Sequence, residues 1–75
     1  MNMKYDEFLN LVDRTSNNFN WRYGQALMNV LSTVWMDKYQ QITDSGNDPY
    51  YDEIYVPEVL KDLKNNWSPH NENTK

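Results

Sequence analysis

The fold turns on residues 21–43, Trp21-Arg22-Tyr23-Gly24-Gln25-Ala26-Leu27-Met28-Asn29-Val30-Leu31-Ser32-Thr33-Val34-Trp35-Met36-Asp37-Lys38-Tyr39-Gln40-Gln41-Ile42-Thr43. On a helical wheel, Gly24, Leu27, Met28, Leu31, Val34, Trp35, Tyr39 and Ile42 fall in one broad sector. Arg22, Gln25, Asn29, Thr33, Met36 and Gln40 lie largely opposite. This spacing predicts one long amphipathic helix, capped by Asn18 or Asn20 and running to Thr43. Tyr23 and Val30 lie beside the main stripe, so the apolar face is wider than one partner helix covers and calls for a second contact surface. Gly24 costs about 1 kcal/mol relative to Ala inside a helix. Its place on the apolar stripe points either to close approach by another backbone or ring, or to a loosely formed first turn.

On the N-terminal side, Tyr5, Phe8, Leu9 and Val12 recur at i, i+3, i+4 and i+7, predicting a helix from Met3 to about Arg14. Asn2 is the expected N-cap, and Asp6 and Glu7 suit the positive end of the helix dipole. Thr15-Ser16-Asn17-Asn18 have side chains that compete for backbone hydrogen bonds and are expected to end this helix. On the C-terminal side, Asp44-Ser45-Gly46-Asn47-Asp48-Pro49 is the clearest break. Gly46 suits a C-cap, and Asp48 followed by Pro49 reads as N-cap and first helical residue. A short helical turn, Pro49 to Glu53, should follow. Pro57 then opens a last helix, with Val56, Val59, Leu60, Leu63 and Trp67 at helical spacing to about Asn66. The expected class is all-α: a small bundle of three main helices with a long central helix and a short helical turn before the last. Residues 1–67 form a single helical domain and residues 68–75 a disordered polar tail.

Composition bounds the function. Seventy-five residues, 39% of them hydrophobic, leave room for one small domain. No cysteine is present, which removes a disulfide framework, a thiolate metal site and a cysteine nucleophile together. A single core of this size is weakly stabilised, and the 15% aromatic content, with three Trp and six Tyr, offers area for packing and for interfaces. A homo-oligomer or a protein partner is therefore expected. Eleven acidic against seven basic residues give a net charge of -4, the wrong sign for direct nucleic-acid binding. No apolar run is long enough to cross a bilayer and no secretory signal is evident, so no membrane association is expected and the location read is the cytoplasm of a host cell.

No cofactor or catalytic residue is expected. Asp44, Asp48, Asp52 and Glu53 invite a calcium reading, but counting from Asp44 puts Pro49 where glycine is needed and Tyr55 where glutamate is needed. No metal site is assigned. His70, the only histidine, falls in the polar tail with nothing to position it for acid-base work. Trp21-Arg22-Tyr23 is chemically richer, because a guanidinium between rings can hold a phosphate while the rings stack on a base. An oligomeric nucleotide-sequestering protein using Trp21, Arg22 and Tyr23 is thus an alternative. The plainer reading, which is preferred, has the two rings packing the helix start and Arg22 paired with a carboxylate of the acidic turn. From Asp44 to Asp62, six carboxylates face Lys61 alone, with Tyr50, Tyr51 and Tyr55 interleaved. Carboxylates for steering and tyrosines for low-entropy contact suit a surface that meets a basic protein, such as a nucleic-acid-binding one. Asp48, Tyr50, Tyr51, Asp52, Glu53, Tyr55 and Glu58 are the candidate partner-binding residues. A solvated face is the bland account of the same charges.

Arg22-Tyr23-Gly24-Gln25-Ala26-Leu27-Met28-Asn29-Val30-Leu31 followed by Asp48-Pro49-Tyr50-Tyr51-Asp52 resembles a pattern seen in small uncharacterised phage and prophage proteins. The two blocks and their spacer cover most of residues 20–60. The resemblance carries over no catalytic residue. It implies an origin in a mobile genome, where short acidic proteins bind and inhibit host or defence machinery. The functional expectation is a non-enzymatic, phage-encoded inhibitor of a host or defence protein. A structural phage component that assembles only with itself is a further alternative.

Overall fold

The structure, a computed structural model, describes residues 3–68. These form four α-helices, α1 (Tyr5–Phe19), α2 (Tyr23–Val34), α3 (Met36–Ser45) and α4 (Val56–Asn66), with a short 3₁₀ helix at Glu53–Tyr55 before α4. The all-helical expectation holds, but the helix count and several boundaries differ from it.

Helix α1 starts at Tyr5, with Lys4 rather than Asn2 as its N-cap residue. The Glu7 carboxylate accepts the Lys4 backbone N–H at 2.9 Å, satisfying from the first turn a donor that the helix cannot. The helix also runs through Thr15-Ser16-Asn17-Asn18 rather than stopping there. Ser16 turns its hydroxyl outward to the Trp21 carbonyl at 2.8 Å, so its polar group serves the following turn instead of breaking the helix. The chain reverses at Asn20, the one described non-glycine residue in the left-handed region (φ 57°), a conformation asparagine tolerates. Asn20 therefore closes α1 and does not cap α2.

The predicted central rod is two helices. Ser32 Oγ and Thr33 Oγ1 both donate to the Asn29 carbonyl, at 2.7 and 3.3 Å, and such back-bonding hydroxyls bend a helix. Trp35 follows with φ -152° and ψ 73°, ending α2 and starting α3. Its N–H still donates to Leu31 O at 2.8 Å and its carbonyl accepts from Tyr39 N at 3.1 Å, so the bend leaves neither of its backbone groups unpaired. The gain is placement. Trp35 is buried and meets the Trp67 ring edge-on at 5.4 Å, while α3 turns to bury Ile42 and to bring Lys38 to Asp62 on α4 at 2.9 Å.

Phe8, Val12, Ala26, Leu27, Met28, Val30, Leu31, Trp35, Ile42, Val59 and Leu63 make the core. Five lie on α2, whose wide apolar face is covered by α1 on one side and by α3 and the 3₁₀ segment on others, the second contact surface that Val30 and Tyr23 call for. Trp67, just past α4, closes the bundle. It packs on Tyr5, Phe8 and Trp35 with ring centroids 5.6, 4.9 and 5.4 Å away and donates its indole N–H to the Met3 carbonyl at 2.9 Å. The indole thus buries its rings and satisfies its polar tip together. The expected N-cap Asn2, and the expected tail beyond Ser68 with His70, lie outside the described residues.

Candidate functional site

The acidic segment forms an elbow joining α3 to α4, and each of its turns has a local cause. Gly46 takes φ 85° and ends α3, as a glycine C-cap does. Asp48 Oδ1 accepts the Tyr50 N–H at 2.9 Å and its carbonyl accepts from Tyr51 N at 3.2 Å, a turn built on an Asp-Pro pair. Asp52 repeats the device two residues before Ile54, its Oδ1 accepting the Ile54 N–H at 3.1 Å to cap the 3₁₀ helix. The helical turn expected at Pro49–Glu53 is therefore shifted to Glu53–Tyr55, because Asp52, not Asp48, is the cap.

The elbow is clasped to the start of α2. The Glu53 carboxylate accepts the Gly24 N–H at 2.7 Å, supplying from a distant segment the anionic cap that α2 lacks in its own first turn. Arg22 donates to the Tyr50 carbonyl at 2.7 Å and lies 3.5 Å from the same Glu53 oxygen. A Cβ on Gly24 would collide with the Pro49 carbonyl and the Glu53 carboxylate. Of the two readings of Gly24, close approach by another backbone is the one observed. Pro49 itself is fully buried.

Residues 48–58 thus divide into anchors and an exposed edge. Pro49 is buried and Asp48, Tyr50 and Tyr55 are half-buried, while Asp52 and Glu53 are exposed but bonded to backbone N–H groups. Tyr51 and Ile54 stand out, 81% and 72% exposed, with the Tyr51 ring tilted against Tyr50 at 5.1 Å. Glu58 is exposed and lines a cleft of about 180 Å³ between the end of α3 and the start of α4, with Asp62, Ser45, Asn47, Ile42 and Val59. Ile54 is absent from the residues expected from sequence. Its signal was its place between Glu53 and Tyr55 in an otherwise acidic and tyrosine-rich stretch, but an isoleucine beside Val56 reads more naturally as core.

Asp62 is held below the ordinary carboxylate range, chiefly by its hydrogen bond to Lys38 and further by one from Asn66. The Lys38 ammonium also lies 5.8 Å from the Trp35 ring. Burial pushes the Tyr5 phenol up, helped by nearby Asp6, and pushes Tyr23 up, helped by Asp13 and Tyr5.

Trp21, Arg22 and Tyr23 do not converge on one pocket. Trp21 stacks on Phe19 at 4.8 Å, Arg22 reaches to the elbow, and Tyr23 is half-buried against the core. Among the described residues no group of three or more His, Asp or Glu is placed to hold a metal ion, and no helix is long and apolar enough to cross a membrane. In comparisons with known proteins, no family model, no curated protein and no solved structure matches the chain.

Proposed function

We propose that the chain is a non-enzymatic binding protein that docks on a basic surface of another protein through the elbow, and that its target is a host or defence protein of the cell a phage enters. The observation that carries this reading is the exposure of Tyr51 and Ile54 on a segment pinned at both ends. A large apolar pair held out to solvent among Asp52, Glu53 and Glu58 has the make-up of a contact centre with a charged rim. Because Glu53 and Arg22 fix the elbow to α2, little ordering entropy remains to be lost on binding. The Glu58–Asp62 cleft at the negative end of α3 suits a lysine or arginine side chain of the partner. The phage and host terms rest on the sequence resemblance alone.

The test is capture of a bacterial protein by the immobilised chain, compared with Tyr51→Ala and Glu58→Lys variants. Both positions are exposed and neither anchors the elbow, unlike Asp52 and Glu53, whose replacement would disturb the turn as well. Capture of a basic protein that weakens with salt and is lost in both variants supports the reading. Capture indifferent to both substitutions removes it.

A further inference from the structure

On the face formed by α1 and α2 a groove of about 240 Å³ runs between Leu11, Thr15 and Phe19 on one side and Trp21, Val30 and Thr33 on the other. From the groove we infer that this face is the seam of a two-fold dimer, in which each copy's Phe19 seats in the groove of the other. The inference goes beyond the elbow reading and does not depend on it.

Charge is the first argument for a second copy as the occupant. Another copy brings the same net charge of -4, so two copies can meet closely only where carboxylates are absent. The groove residues carry none. Between Arg22 and Asp37 lies the longest stretch of the chain without a charged residue, fourteen positions that include all of α2. One helical turn from Leu11 on either side stand the exposed Glu7 and Arg14, opposite charges that leave the rim of the groove near neutral.

Shape is the second. A two-fold contact uses the same patch on both copies, so the patch must carry both a knob and a hole. Phe19 is 62% exposed on the wall of the groove, its ring stacked on Trp21. A cavity of about 150 Å³ accommodates benzene, so the groove has room for a phenyl ring from outside. A stable dimer needs about 800 Å² from each copy, roughly one-sixth of the 4942 Å² surface of this chain.

Sedimentation equilibrium tests this. The wild-type chain is expected at twice the 9.1 kDa chain mass. Thr33→Glu sets a carboxylate in a seam that excludes charge and should weaken association about 100-fold with the helical circular dichroism unchanged. Gln40→Glu makes the same charge change at an exposed position of α3 and should leave the mass at the dimer value. Phe19→Ser, which removes the knob without touching the core, is the second variant should Thr33→Glu fail to fold. A wild-type monomer at high micromolar concentration overturns the inference, including one whose groove takes up an apolar dye and so belongs to another occupant. Folded Thr33→Glu or Phe19→Ser chains that dimerise as tightly as wild type overturn it equally.

Discussion

Replacing Gly24 with alanine sets two effects of opposite sign against each other. Intrinsic propensity favours alanine in a helix by about 1 kcal/mol. Against this, the new methyl would stand where the Pro49 carbonyl and the Glu53 carboxylate already lie. The Pro49 oxygen is backbone in a buried turn and cannot swing aside, so relief requires the elbow to lift from α2. Overpacking of this kind costs about 1–3 kcal/mol. Weakening the charged hydrogen bond from Gly24 N–H to Glu53 adds about 1 kcal/mol or more. Steric cost wins, leaving a net loss of about 2 kcal/mol, which in a domain of this size lowers the melting temperature by about 10 °C. Thermal and urea unfolding followed by circular dichroism measure it. Gly46→Ala is the contrast: its methyl meets nothing, so its penalty of about 1 kcal/mol comes from the left-handed backbone alone. A Gly24→Ala chain as stable as wild type, or more so, would refute the clasp.

Trp67→Ala empties the ring cluster of Tyr5, Phe8 and Trp35 and should cost about 3–5 kcal/mol by denaturant unfolding, enough to unfold a marginal domain. The Lys38–Asp62 pair should make stability fall in acid. The carboxyl is depressed in the fold, so its contribution is complete above the ordinary carboxylate range and fades as pH drops through the lowered value; Asp62→Asn should flatten that part of the stability–pH curve. At the alkaline end the sign reverses. Tyr5 and Tyr23 have raised pKa values, so the unfolded chain releases protons first and stability declines as pH rises past the ordinary tyrosine range, less steeply in Tyr5→Phe. Tyr5→Phe also removes the phenol's hydrogen bond to the Leu60 carbonyl, costing about 1 kcal/mol at neutral pH.

Helical class, the Gly46 stop and the last helix were legible because each rests on a local rule: apolar spacing, a glycine free to take positive φ, a proline in the first turn. The break at Trp35 was not. Periodicity on both sides of it is helical, and beside the local back-bonding of Ser32 and Thr33 its cause is tertiary, since bending there buries Trp35 against Trp67 and carries Ile42 into the core. The polar run Thr15–Asn18 misled for a related reason, as Ser16 finds its partner across the turn at Trp21. Close approach at Gly24 was legible from a glycine on an apolar stripe, but the partner was not, because Pro49 and Glu53 lie more than twenty residues away. At the elbow, acidity and tyrosine content marked the segment. Which residues anchor it and which are offered outward depended on hydrogen bonds that composition does not encode.

The central claim is that the elbow, rather than the α1–α2 face, meets the partner. Amide NMR of the labelled chain, titrated with the basic protein it captures, tests this most directly. Shifts confined to Tyr51, Ile54, Glu58 and the residues lining the Glu58–Asp62 cleft are predicted; a footprint on Leu11, Phe19 and Thr33 with the elbow silent would contradict it.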